Sequence, residues 1–423
     1  MKDRDKNIRL LKGHTAFLFI HGIGEQNPFE TVDLFTQNFL TYFDKENLSF
    51  KLEHVIAQRR LSTGSFWTES FIRLKSTDND GDWLIDIHEY YWSAYTENKI
   101  TVPEILRWAE QTLDGTIKFY NRKENQPLLD QLLAKKNRKS LFKYRLRSLT
   151  ILLRIFNFFY PVLRMITWLI LSLAGPFLQG RFLQSAWQLS KKIVTPPLVN
   201  FIGDITIYSI TDAKSPYKII RQQILTESLT LLKEILQDKQ IDYDQVIIGG
   251  HSLGSCIAYD TLNLLCVEAS LSPDKNQSLL LNKIKGLITF GSPLDKIAFF
   301  FREVAQEGQY IRQRILEHLN SFRVKPEFAQ QSKYSFPNPV LCKLEGVRWI
   351  NYYHLKDPIS GHLDYYENLV NIEMKYPASW GDQGHQGYWS DANFYEDIAD
   401  RFLYVTNQNE ESQEIVQPDR HKP

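Results

Sequence analysis

The sequence predicts an α/β protein, with a doubly wound, mostly parallel sheet and a large helical insertion. Two short runs, residues 16–20 and 245–248, are apolar except for Gln245 and each end at a glycine turn, which is typical of strands buried on both faces. Further strand-like runs alternate with amphipathic helical segments, a pattern that favours parallel strands joined by helices. The 423 residues are enough for one large domain that carries an insertion.

The elements follow one another in a β/α order. After the first strand, apolar residues recur at helical spacing over 30–44. The long amphipathic helix at 217–236 comes before the strand that ends at the second glycine turn. The remaining predicted elements are strands at 50–59, 83–92, 285–290 and 347–353 and helices at 217–236 and 392–405. We therefore divide the chain into a first sheet portion (1–100), an insertion (101–200), a second sheet portion (201–406) and a polar, disordered tail (407–423).

The insertion has no clear strand signal and is predicted to be helical. Within it, a basic cluster at 135–147 leads into the segment 145–180, which is mostly aromatic and apolar from residue 150 onward. The longest charge-free stretch, 165–180, is shorter than the ~20 residues that a membrane-spanning helix needs. Two interpretations stay open: peripheral or re-entrant membrane contact through this segment, or a helical cap on the protein's own core.

Composition excludes several classes of function. Lys plus Arg number 50 and Asp plus Glu 49, so the net charge of +1 provides no global field for nucleic acid. The three cysteines lack CxxC spacing, and we expect no metal and no cofactor. The N-terminal apolar run is too short for a signal peptide. We therefore expect a cytoplasmic protein that associates with membranes if the insertion contacts them.

The sharpest motif is Gly-His-Ser-Leu-Gly at 250–254, placed between a predicted strand and an apolar helix. This context is typical of a nucleophile elbow, in which the serine lies on a sharp turn with its oxygen presented to the substrate. Ser252 is thus the candidate nucleophile, and the backbone N–H of Leu253 a candidate oxyanion donor. The glycine turn after the first strand offers a second donor, the N–H of Ile23, with Gly24 as the alternative.

The candidate base must be a histidine that follows Ser252, because elbow hydrolases place serine, acid and histidine in that order. The histidines after it are His318, His354, His362, His385 and His421. His385 lies in a glycine-bearing loop before the last predicted helix, where an imidazole can reach the nucleophile. His362 is the alternative.

Two aspartates compete for the role of the acid. Asp357 opens a turn after the late strand, and Asp295 follows the strand at 285–290. We prefer Asp357 because it follows the later strand and lies closer to His385 in the chain. Asp295 is the alternative acid, and Asp364 and Asp382 are weaker because neither ends a strand.

Three segments, HGIGEQ, GHSLGS and TFGSPLD, resemble lipase-like bacterial members of the α/β-hydrolase superfamily. GDITIY at 203–208, followed by a helix and the elbow, is also similar to intracellular phospholipases of the DDHD group, although the DDHD tetrad is absent. The resemblance covers 16–26, 203–262, 286–296 and 348–390. It implies an α/β-hydrolase-type fold and a serine hydrolase that cleaves carboxylic esters, lipid esters in particular. A soluble thioesterase or esterase, a transacylase and a catalytically silent, membrane-recruited scaffold are the alternatives.

Overall fold

The protein has an eight-stranded mixed sheet with helices, which confirms the predicted α/β class. The computed structural model describes residues 9–10, 13–23, 27–60, 66–77, 83–96, 216–271, 279–295, 308–326, 334 and 336–405, with single positions between 104 and 208. The strands of the large sheet are β2 (Gly13–Ile20), β3 (Phe50–Arg60), β4 (Phe66–Ser76), β5 (Trp83–Tyr90), β6 (Gln245–His251), β7 (Ile284–Phe290), β8 (Arg348–Tyr353) and β9 (Leu369–Glu373). A second sheet pairs β1 (Arg9–Leu10) with β10 (Tyr404–Val405).

The strand order of the large sheet is β3-β4-β5-β2-β6-β7-β8-β9. Every neighbouring pair from β5 to β9 is parallel, as predicted, and β3 and β4 form an antiparallel hairpin at one edge. The sequence prediction did not include β4 or β9. Both contain fewer buried residues than the central strands, so their apolar pattern is weaker.

The six helices with described bounds are α1 (Glu30–Lys45), α2 (Pro216–Leu236), α3 (Leu253–Leu271), α4 (Tyr310–Leu319), α5 (Asp382–Gln386) and α6 (Ala392–Phe402). Alternate residues of β2 explain why helices lie on both faces of the sheet. Leu18 packs in a core with residues of α2 and α3, whereas Phe17 and Phe19 pack with residues of α1 and α6. Successive side chains of a strand point to opposite faces, so a central strand that is apolar throughout supports two cores.

The end of the chain differs from the prediction of one helix over 392–405. Helix α6 begins after Asp391, whose side chain accepts a hydrogen bond from the backbone N–H of Asn393. The helix ends at Phe402, and the next residues form β10. Tyr404 is buried there, with its hydroxyl in a hydrogen bond from Tyr42 of 3.1 Å. Tertiary pairing therefore overrides the helical pattern at this end.

The predicted insertion is represented by single described positions, and all of those between residues 104 and 208 are helical. Arg154 pairs with Glu110 at 2.9 Å and also with Asp114. These ion pairs link the described positions at 104–121 with those at 147–159. Among the described residues no helix is both long enough and apolar enough to cross a membrane. Most of 145–180 and all of the predicted tail at 407–423 lie outside the described residues.

Candidate functional site

The predicted site residues follow strands that end at the same edge of the sheet. In the parallel register Ile20 lies beside Gly250, His251 beside Phe290, and Phe290 beside Tyr352. The turns that follow β2, β6, β7 and β8 therefore emerge next to one another. This edge is where open parallel sheets place their ligand sites.

Ser252 lies on the turn between β6 and α3 with φ of 52°, a left-handed conformation that is uncommon for a residue other than glycine. Its backbone N–H donates to the carbonyl of Phe290 at 3.0 Å, so β7 holds the turn in place. The residue is 1% exposed, and its Oγ has no hydrogen-bond partner among the described residues. Most buried polar side chains are hydrogen-bonded, so a buried hydroxyl without a partner on a strained turn makes Ser252 a candidate functional residue.

The turn depends on the close approach of Gly254 to the first strand. A methyl group at Gly254 would collide with the backbone carbonyl oxygens of Ile20 and His21. Backbone atoms of a central strand cannot move aside as a flexible side chain can. The glycine therefore lets helix α3 start directly against the end of β2.

We expect Gly254→Ala to lower the free energy of unfolding by about 3 kcal/mol or more, because the added carbon overpacks this contact. Gly346→Ala is the matched control, because a methyl group there meets nothing within 4 Å. That control should change the stability by no more than about 1 kcal/mol. Urea unfolding of both variants measures the difference, and equal losses would contradict the proposed close approach.

His385 and Asp357 form a buried pair beside this turn. His385 Nδ1 lies 3.0 Å from Asp357 Oδ2, with the two side chains 7% and 0% exposed. A carboxylate only accepts hydrogen bonds, so Nδ1 carries the proton and donates it. In the neutral ring Nε2 is then unprotonated and can accept a proton.

The Asp357 carboxylate is stabilised in its charged form. Burial alone raises its pKa, but the hydrogen bond and charge of His385, with further donors, outweigh burial and lower the pKa to about 2. These donors are the backbone N–H of Ile359, at 2.8 Å from Oδ1, and the hydroxyl of Tyr388, at 2.9 Å from Oδ2. Asp357 is therefore ionised at neutral pH and fixes the orientation of the imidazole.

A backbone hydrogen bond and close packing hold the loop of Asp357 against the start of the helix that contains His385. The N–H of Gly381 donates to the carbonyl of Lys356 at 3.1 Å, and a methyl group at Gly384 would lie 2.6 Å from the same oxygen. His385 lies within the short helix α5, whereas the sequence predicted a loop there. The helix forms because it packs on the turn after β8, a contact that local sequence does not reveal.

Gly291 connects this pair to the serine turn. It follows Phe290, which accepts the hydrogen bond from Ser252, and a methyl group on it would lie 3.0 Å from His385 Cε1. The imidazole therefore packs against the backbone that supports Ser252. The structure brings Ser252, His385 and Asp357 to one place at the carboxyl edge of the sheet.

His251, the residue before Ser252, contacts both the backbone and the ring of His385. Its Nε2 lies 3.0 Å from the carbonyl oxygen of His385, and the two ring centroids are 4.7 Å apart. Because the carbonyl can only accept, His251 Nε2 is the donor. Burial, and then the charge of His385, lower the pKa of His251 to about 3, so this ring stays neutral at physiological pH.

We expect His251→Gln to reduce the dependence of stability on pH. Between the ordinary histidine pKa of about 6.5 and the folded value, only the unfolded chain binds a proton here. Stability therefore falls as the pH falls through this window, by about 1.4 kcal/mol per pH unit. Urea unfolding between pH 6 and pH 4 should give a shallower slope for the variant, because glutamine does not titrate. Parallel curves for the two proteins would contradict this assignment.

His21 orders the glycine turn after β2. The backbone N–H of Trp92 donates to its Nε2 at 3.1 Å, so Nδ1 carries the proton and donates to the Gly22 carbonyl at 2.7 Å. Burial lowers the pKa of His21 to about 4, which keeps the ring neutral. A methyl group on Gly22 would lie 2.9 Å from Ser252 Cβ, so this turn directly adjoins the serine.

The candidate oxyanion donors belong to the residue after Ser252 and to the turn that adjoins it. Leu253 is the first residue of α3, so its N–H has no carbonyl partner within the helix. Ile23 is buried one residue beyond Gly22 in the adjoining turn. The alternative donor, Gly24, lies outside the described residues.

The alternative acid and base occupy other positions. Asp295 accepts a hydrogen bond from the backbone N–H of Tyr365 at 2.7 Å, and burial followed by the charge of Asp364 raises its pKa to about 7. His362 pairs with Asp364 at 2.8 Å, both about half exposed. Asp382 begins helix α5. The carboxylate next to His385 is that of Asp357.

Three contributing residues, Tyr388, His251 and His21, were not predicted from the sequence. All three lie within or beside the motifs recognised in the sequence, which is the signal that could have identified them. Their hydrogen-bond partners are far away in the chain, so the sequence pattern does not reveal their roles. Among the described residues no group of three or more histidine, cysteine or acidic side chains could hold a metal ion. The described site chemistry is that of a serine, an imidazole and a carboxylate.

No model of a known protein family matches this chain, and a search of curated proteins finds no match either. Function must therefore be inferred from the geometry of the site.

Proposed function

We propose that this protein is a serine hydrolase of the α/β-hydrolase type that cleaves carboxylic esters through an acyl-enzyme. The observation that carries the proposal is the buried Ser252 hydroxyl on a turn with φ of 52°, at the sheet edge that also carries the His385–Asp357 pair. Nucleophile elbows combine a strand, a strained serine and a helix in this way. The mostly parallel sheet with helices on both faces supports the same class.

In the proposed reaction Ser252 Oγ attacks the ester carbonyl while His385 Nε2 takes the hydroxyl proton. Asp357 stabilises the imidazolium, because its carboxylate is already ionised and hydrogen-bonded to Nδ1. His385 then protonates the leaving alkoxide, and water releases the acyl group by the same steps. The Ser252–His385 hydrogen bond would close as substrate binds, since such bonds are often long in free enzymes.

The backbone N–H groups of Ile23 and Leu253 are proposed to stabilise the oxyanion. Leu253 follows the serine directly, and the adjoining turn that holds Ile23 is fixed by the hydrogen bonds of His21 to Gly22 and Trp92. Donors held in place before the reaction cost no reorganisation as charge develops. Rigid support of this turn therefore favours catalysis.

A lipid ester is the substrate class that we propose. The resemblance to lipases and DDHD-group phospholipases supports it, and so does an exposed apolar stripe in the insertion. Ile151, Ile155 and Phe159 are 56%, 50% and 55% exposed and lie at a spacing of four residues, which puts them on one helical face. The basic cluster at 135–147 precedes this stripe in the sequence and would be attracted to anionic headgroups.

Flotation with liposomes containing phosphatidylserine tests membrane contact. We expect the protein to float and a variant with Ile151→Asp, Ile155→Asp and Phe159→Asp to lose most of this binding. The matched control is Ile311→Asp with Ile315→Asp on helix α4, where the exposed fractions are 57% and 47%. The control should still float. Equal flotation of both variants would show that this stripe does not carry the membrane contact, and failure of the unaltered protein to float would support a cap or a soluble enzyme.

Labelling by a fluorophosphonate probe tests the enzyme class. A serine hydrolase should be labelled at Ser252, whereas a catalytically silent scaffold would not react. Hydrolysis rates for soluble short-chain esters, thioesters and emulsified long-chain esters then separate a lipase from a soluble esterase or thioesterase. Transfer of the acyl group to an added alcohol instead of water would identify a transacylase.

A further inference from the structure

Two thiols from distant parts of the chain meet on the core side of helix α3. Cys266 lies in the fourth turn of that helix, and Cys342 lies in the segment that leads to β8. The two side chains lie close enough that each shifts the pKa of the other, upward for Cys266 and downward for Cys342. Both side chains belong to the core that contains α2 and α3, with Cys266 buried and Cys342 partly exposed.

The Ser270 hydroxyl holds the two segments together. It donates to the carbonyl of Cys266 at 2.8 Å and accepts the backbone N–H groups of Leu341 at 2.9 Å and Cys342 at 3.1 Å. One side chain therefore connects the backbones of both cysteines. Three hydrogen bonds to the backbone therefore hold the two cysteine-bearing segments against each other.

The continuation of the Cys342 segment is also fixed. The Arg323 guanidinium donates to the carbonyl of Leu344 at 2.7 Å and to that of Val347 at 2.5 Å. The neighbouring Cys266 side chain, followed by the backbone of Leu344, lowers the pKa of Cys342 to about 7 although burial opposes this. Cys342 is therefore the more acidic and the more accessible thiol of the two, as the attacking thiol should be.

We propose that Cys266 and Cys342 form a reversible disulfide when the protein meets hydrogen peroxide. Cys342 sulfur attacks one peroxide oxygen, the O–O bond breaks, hydroxide leaves and a sulfenic acid forms. Cys266 sulfur then attacks the sulfenic sulfur, and the hydroxyl group leaves with the thiol proton as water. Two thiols lose two electrons in total, and one peroxide becomes two waters. The site is independent of the proposed role of Ser252.

The disulfide would join helix α3, which begins directly after Ser252, to the segment before β8, which leads to Asp357. Cys256 is the natural control on the same helix. It is also buried, but the charged groups that act on its pKa are Asp260 and Arg221 and not another cysteine.

The test treats the full chain with hydrogen peroxide, alkylates the remaining thiols in denaturant and measures intact mass. The chain has 3 cysteines, and we expect the alkylated number to fall to one and to recover after dithiothreitol. Peptide mapping should find Cys266 linked to Cys342. Cys256→Ala should keep this link, Cys342→Ser should abolish it, and Ser270→Ala should slow its formation severalfold.

A different distribution of oxidation would overturn the proposal. Sulfinic acid at Cys342 with Cys266 still alkylated, or a link that involves Cys256, would show that the two thiols do not pair. Because the wild-type mapping stands alone, this conclusion does not depend on whether a variant folds. An unchanged rate in Ser270→Ala would refute the role of the serine clamp.

Discussion

Ser252→Ala is expected to reduce ester hydrolysis by a factor of about 10⁴ to 10⁶, the loss found when a serine hydrolase is deprived of its nucleophile. The loss should appear in kcat, because the attacking oxygen is removed while the oxyanion donors and the substrate contacts remain. Initial rates with a 4-nitrophenyl ester measure this effect, and labelling by the fluorophosphonate probe should disappear with it.

Ser270→Ala is the matched control for this experiment. Ser270 lies on helix α3, 18 residues after Ser252 in the chain, which corresponds to roughly 27 Å of helix. It should retain full ester hydrolysis and full labelling. Residual labelling of the Ser252→Ala protein at another serine would show that the nucleophile had been assigned wrongly.

Asp357→Asn is expected to lower kcat by roughly 10³ to 10⁴, the second largest effect that we predict. The amide has no negative charge to stabilise the imidazolium, and its NH₂ group can hold the wrong tautomer of His385. The hydrogen bonds of Ile359 and Tyr388 to this side chain make large displacement of an isosteric amide unfavourable. Far-UV circular dichroism and thermal unfolding check that the variant folds.

Asp295→Asn distinguishes the two candidate acids. The asparagine oxygen can still accept the N–H of Tyr365, so this substitution preserves the contact that the structure shows. We expect kcat to change by less than about tenfold, because the carboxylate beside His385 remains. Reversed effects of the two substitutions would transfer the role of acid to Asp295.

Local patterns in the sequence were sufficient for the serine turn and the central strands. The run before His21 and the run before Gly249 are apolar throughout, and their burial on both faces follows from that pattern alone. Ser252 could be singled out because strand, glycine, serine and helix follow one another within a few residues. Neither β4 nor α5 has so strong a local signal.

The choice of partner for His385 required the tertiary structure. Sequence left Asp357 and Asp295 open, because both follow strands that end at the same edge of the sheet. The docking of α5 on the Lys356 carbonyl places the imidazole beside Asp357, and this contact joins residues that local patterns treat separately.

The sequence by itself thus determined the α/β class, the central strands and the position of the candidate nucleophile, since each follows from contacts between near neighbours in the chain. Only the tertiary structure decided which carboxylate meets the imidazole, that His251 and His21 stay neutral, and that Cys266 meets Cys342. These properties arise from strand order, from burial and from hydrogen bonds between segments that are far apart in the sequence.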